Sequence, residues 1–119
     1  MIVVELPFPD VAKLSMNARS HWLTRHRLAK VARRHGWAAT LAAMGREPVP
    51  TERPLPVRFS IHAPDKRRRD HDNIVTALKS YCDGIADAIG VDDADWAPEH
   101  KHLEVIKGGK VIVQIGVPP

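Results

Sequence analysis

From Asp72 to Ile89 the apolar residues fall at 74, 77, 78, 81, 85, 88 and 89, and Gly90 follows at once. Spacings of three and four put these side chains on one face of an α-helix. A glycine just past the last of them is a common helix stop. An amphipathic helix of this length must bury its apolar face against a second layer, and the flanking segments supply strands for it. Ile2-Val3-Val4-Glu5-Leu6 is short and β-branched and is stopped by Pro7 and Pro9. Val57 to Ala63 alternates apolar and polar residues up to Pro64. Leu103 to Lys107, the pair Gly108-Gly109, and Lys110 to Val117 carry a hairpin signature, with the glycines supplying positive φ.

An Ala-, Leu-, Lys- and Arg-rich stretch from about Ser20 to Met44 predicts the other helix. Trp22, Leu28, Val31, Ala32, Ala39 and Leu41 are expected on one side of it, and Arg25, Lys30, Arg33 and Arg34 on the other. Gly36 is a point of interruption and Gly45 a close. Residues 10–18 read as loop with Ser15 and Asn17 as candidate caps, and 46–56, with four prolines, as a surface connection. The order β-α-β-α-β-β predicts one α+β domain over 1–119, a mixed sheet with two main helices and a C-terminal β-hairpin.

Charge is divided unevenly along the chain. The net value is +4, but residues 1–69 hold 14 Lys and Arg against 5 Asp and Glu, whereas 70–119 hold 4 against 9. A basic half beside an acidic half suits a polyanionic partner and a cation-holding site. A lone Cys82 excludes an intrachain disulfide framework and the usual cysteine-rich zinc sites. The N-terminus lacks the pattern of a signal peptide, and no apolar run approaches membrane-spanning length. A cytoplasmic protein without membrane contact is the expectation.

The two charge regimes meet in Lys66-Arg67-Arg68-Arg69-Asp70-His71-Asp72-Asn73. In an extended segment Asp70 and Asp72 point the same way, and His71 the other way; on a helix the two acids diverge by about 200°. A strand end or helix-leading loop therefore suits a shared ion. Paired carboxylates with open positions suit Mg²⁺, which keeps waters and takes further ligands from phosphate. The run Lys66, Arg67, Arg68, Arg69 suits a nucleic-acid backbone.

Arg-Arg-Arg-Asp-x-Asp-Asn, a following helix with a lysine, and an Asp-Asp pair near its end together resemble the RusA family of Holliday junction resolvases. The similarity is strong from about Pro64 to Asp93, and Asn17-Ala18-Arg19-Ser20-His21-Trp22 resembles a stretch of phage members. Asp-x-Asp alone is a common surface pattern; the ordered set is more specific. The resemblance implies a homodimeric, Mg²⁺-dependent endodeoxyribonuclease that acts on branched DNA, the four-way junction. It implies Asp70, Asp72 and Asp93, with Asp92, as metal ligands and Lys79 as the cation at the scissile phosphate. The family pattern places its lysine four residues after the second Asp, where this chain has Thr76. Lys79 comes three residues later, about 20° from Asp72 around a helix and about 4.5 Å further along than Thr76.

Each assignment has a plainer counterpart. Asp70 suits an N-cap, with Asp72 and Asn73 in the first turn. The basic run suits a solvated loop, and Lys79 with Asp83 an exposed i,i+4 pair. Trp22 and Trp37 suit a core or dimer interface better than a base-stacking platform, and Tyr81 and Cys82 suit helix packing. The rival functions are a DNA-binding protein without catalysis and a metal nuclease acting on other branched DNA or on RNA.

Overall fold

The structure, a computed structural model, describes residues 1–15 and 22–116. Its elements are β1 (Ile2–Leu6), α1 (Val11–Leu14), α2 (Trp22–Met44), β2 (Leu55–His62), α3 (His71–Ile89), β3 (Trp96–His102) and β4 (Lys110–Ile115). The strands form one mixed sheet in the order β1-β4-β2-β3. β4 runs antiparallel to both β1 and β2, with Val113 opposite Val4 and Phe59. β3 runs parallel to β2, from Leu55 opposite Trp96 to Ile61 opposite His102. The domain is α+β, as its sequence predicts.

Alternation sends one set of side chains to a single apolar face. Ile2, Val4, Leu6, Leu55, Val57, Phe59, Ile61, Val111, Val113 and Ile115 are all buried there. Ile74, Leu78, Tyr81, Ile85 and Ile89 of α3 join them in the core. The helical face read from the sequence is thus the buried one. Asp70 caps α3 at its start, and Gly90 ends it in the left-handed conformation (φ 71°), donating its N–H to the Ala86 carbonyl.

α2 packs across α3 where both backbones lack a side chain. A β-carbon on Gly84 would lie 2.7 Å from the Trp37 nitrogen and would collide with the Arg33 carbonyl. A β-carbon on Gly36 would run into the Tyr81 carbonyl. Arg33 also grips Asp87 of α3 through two hydrogen bonds, of 2.7 and 2.9 Å.

Four sequence expectations need correction. Gly36 does not interrupt α2; it permits the crossing. The buried stripe of α2 is Ala32, Gly36 and Thr40, whereas Trp22 (63%), Val31 (60%), Trp37 and Leu41 are exposed. Small residues win that stripe because the helices approach too closely for large ones. Residues 11–14, expected in a loop, form α1, whose cap is Asp10; Asn17 and most of the Asn17–Trp22 stretch lie outside the described residues.

The C-terminal hairpin is absent as well. β3 lies at 96–102 and pairs with β2, not with β4. The chain then follows the end of β2, with Leu103 N–H donating to the Ile61 carbonyl and Ile106 N–H to that of Ala63. It turns through Gly108 and Gly109 (φ 86° and 69°) and crosses to the opposite side of β2. β2 takes the middle, with Leu55, Val57, Phe59 and Ile61 all buried and even the residues between them only partly exposed. β3 carries Pro98 and four charged or histidine side chains, a composition suited to an edge.

The crossing sets the sign of a substitution effect. In an open helix, Gly84→Ala would stabilise by up to about 1 kcal/mol through propensity. Here overpacking should reverse this, and the unfolding free energy should fall by about 1–3 kcal/mol or more. Urea denaturation measures it, and a stabilised variant would contradict the close approach.

Candidate active site

α3 and β3 face each other along the edge of the domain and carry most of the polar residues that the sequence singles out. α3 begins within the octapeptide because Asp70, still in the extended region (φ −76°, ψ 125°), serves as its N-cap. Asp70 Oδ1 accepts the N–H groups of Asp72 (2.8 Å) and Asn73 (3.3 Å). Only Asp70 is extended; Asp72 sits in the first helical turn. The parallel projection of the two acids expected for an extended segment is therefore not what this backbone produces. His71 turns to β3, where its Nδ1 lies 2.7 Å from Nε2 of His102. His100 stacks on Phe59 with ring centroids 4.8 Å apart. Burial, reinforced by the two neighbouring imidazoles, lowers the His100 pKa and favours its neutral form.

Two turns along α3, Lys79 Nζ donates to Asp83 Oδ1 at 2.7 Å and to Asp93 Oδ2 at 2.5 Å. Both bonds raise its pKa, so the ammonium is held charged. The hydrogen bond from Lys79 holds the Asp93 carboxyl below the ordinary carboxylate range. Asp93 opens a short 3₁₀ turn, 93–95, capped by Asp92, whose Oδ1 accepts the Ala94 N–H at 2.9 Å. Cys82 is on the same side of α3, and burial pushes its thiol up to about 12, so it carries no thiolate.

The fold thus joins Lys79 to Asp93 and leaves Asp70 and Asp72 at the start of α3. At 1.5 Å per residue, Lys79 lies about 10 Å along the axis from Asp72. Among the described residues, no group of three or more His, Cys, Asp or Glu side chains is placed to hold a metal ion. The four-carboxylate centre read from the sequence is not assembled as one cluster; the acids form two pairs. Either pair is a hard-oxygen donor set, and Mg²⁺ is commonly held by one or two carboxylates with phosphate oxygens completing its shell.

The basic run is divided too. Arg69 folds back, with Nη2 2.9 Å from Asp65 Oδ1, Nη1 donating to the Asp65 and Arg67 carbonyls, and its guanidinium 5.3 Å above the Phe8 ring. Lys66, Arg67 and Arg68 project into solvent. Sequence reading passed over His100 and His102; their i,i+2 spacing, which places both on one face of a strand, was the available signal.

The chain is 35% identical over 120 aligned positions to an uncharacterized protein of Xylella fastidiosa (strain Temecula1 / ATCC 700964). That match covers 92% of this chain and 72% of the other, and the chain belongs to the same family. No protein-family profile matches it.

The Lys79–Asp93 bond has a titration signature. A depressed Asp93 pKa contributes stability above the unfolded carboxyl value of about 3.9 and loses it as pH falls through the folded one. Lys79→Ala should raise the Asp93 midpoint toward the unfolded value. Carboxyl-carbon NMR reads this, and an unmoved midpoint would contradict the pairing.

Proposed function

We propose that this family member is a Mg²⁺-dependent endodeoxyribonuclease of the RusA type, resolving four-way DNA junctions by paired phosphodiester hydrolysis. The observation that carries the reading is Lys79, held charged between Asp83 and Asp93 on the helix whose first turn holds Asp70 and Asp72. Lys66, Arg67 and Arg68 lie exposed just ahead of that helix, where they contact the phosphate backbone. Arg69, occupied by Asp65, shapes the loop that presents them. Asp70 and Asp72, and Asp93 with Asp92, are the carboxylates that would hold Mg²⁺. When bound, the ion supplies Lewis acidity for hydrolysis of the phosphodiester.

Lys79 must exchange one carboxylate for the scissile phosphate. Asp83, one helical turn away, keeps the ammonium positioned while Asp93 is released from it. The cation then offsets charge developing on the phosphate oxygens. Paired incision calls for two sites related by symmetry, hence a homodimer. The exposed Val31, Trp37 and Leu41 of α2 offer such a partner apolar surface.

The second reading, a DNA-binding protein without catalysis, draws on the capping role of Asp70 and the dispersed carboxylates. Single-turnover nicking of a bound junction separates the two, because it isolates chemistry from product release. Asp70→Asn keeps a good helix cap and should cut the rate by orders of magnitude while junction binding survives. Lys79→Ala should cost about 10²–10³ in rate, and adding Thr76→Lys, on the same face one turn nearer Asp72, should restore part of it. Variants within about twofold of wild type would leave these residues structural.

A further inference from the structure

Between α3 and the β2–β3 edge lies a cavity of about 140 Å³. Val75, Leu78 and Cys82 form one wall; Phe59, Trp96 and Pro98 form the other. The pair Lys79 and Asp93 borders it, with His100 lying flat on Phe59. Its surface is thus mostly apolar and aromatic, with one strong donor and one strong acceptor at the edge. Apolar concave sites with a few convergent polar groups are the usual form of a small-ligand site.

Three properties fix the kind of occupant. An apolar cavity of about 150 Å³ accommodates one benzene ring, so this one takes a single six-membered ring and not a fused pair. Its aromatic lining suits a flat π-face, the way unstacked bases are held on proteins. The Lys79 ammonium donates and the Asp93 carboxylate accepts, which matches a ring edge carrying a carbonyl or ring nitrogen beside an N–H. Lys79 and Asp93 bond each other at 2.5 Å; a pyrimidine, with an acceptor and an N–H along one edge, can stand in for each partner of that bond, which a hydrocarbon cannot.

We infer that the α3–β3 cavity is a binding pocket for one unstacked pyrimidine base. It deepens the nuclease reading, on which the choice of a nucleobase rests, by placing the base of one nucleotide beside the Lys79 that serves the scissile phosphate. An unpaired base at a branch point is cheaper to extrude than one inside a continuous duplex. The pocket thereby favours branched DNA over linear duplex without reading a duplex groove.

The test uses the intact protein, free nucleosides and no metal. Thymidine, deoxycytidine, deoxyadenosine and deoxyguanosine are titrated to millimolar concentration while the methyl signals of Val75 and Leu78 are followed by NMR. The two pyrimidine nucleosides should give saturable shifts confined to the cavity, at affinities at least about tenfold above the purines. Val75→Phe fills the cavity from α3 and should abolish the Leu78 response. Absent saturation, purines binding equally well, or a folded Val75→Phe protein that still responds would overturn the pocket. If Val75→Phe does not fold, wild-type selectivity decides alone. Pyrimidine binding without junction cleavage would keep the pocket and remove the nuclease; cleavage without binding would do the reverse.

Discussion

Neighbouring parallel strands cannot be joined by a tight turn; they need a crossover, usually a helix. β2 and β3 are such a pair, and α3 is their crossover. That constraint places every polar group of interest. It sets the octapeptide at the end of β2 and the Asp92–Asp93 pair at the start of β3, with the length of α3 between them. It also runs α3 back along β3, so that His71 meets His102 near one end of the helix while Lys79 reaches Asp93 further along. The apolar face of α3 closes the sheet, and its glycine-notched back admits α2. The groove between α3 and β3, with its cavity, is left over once both faces are satisfied.

Electrostatics within that groove favours a positioned cation over an acid–base pair. Lys79 is charged and Asp93 is kept ionised, so neither is poised to exchange a proton near neutral pH. Cys82 is protonated and sheltered. What the groove offers is fixed charge, hard oxygen donors and an apolar floor. Such groups suit stabilisation of charge by fixed electrostatics better than covalent catalysis.

Much of this was legible in the residues. The period of α3 and its Gly90 stop gave the helix and its buried face; β-branched residues before Pro7 gave β1, alternation gave β2, and the run after Gly108-Gly109 gave β4. β3 was hidden because an edge strand with one buried residue, Trp96, and a proline has no apolar alternation to read. The hairpin expectation failed because turn chemistry at Gly108-Gly109 reports a reversal, not which strands flank it. α2 misled because its packed stripe is made of Ala, Gly and Thr, so hydrophobicity pointed to the exposed side. At the site, i,i+4 spacing paired Lys79 with Asp83, whereas its bond to Asp93, fourteen residues on, is not written in any local spacing. Of the two sequence readings of Asp70, an extended partner of Asp72 or an N-cap with Asp72 in the first turn, the backbone takes the cap.

The account stands on catalysis at a branch point. The direct measurement is incubation of the purified protein with a synthetic four-way junction and with a linear duplex of the same sequence, in Mg²⁺ and in chelator. The account predicts paired nicks in opposing strands of the junction in Mg²⁺, none in chelator and little on the duplex. A protein that binds the junction but leaves it uncut in Mg²⁺ would contradict it.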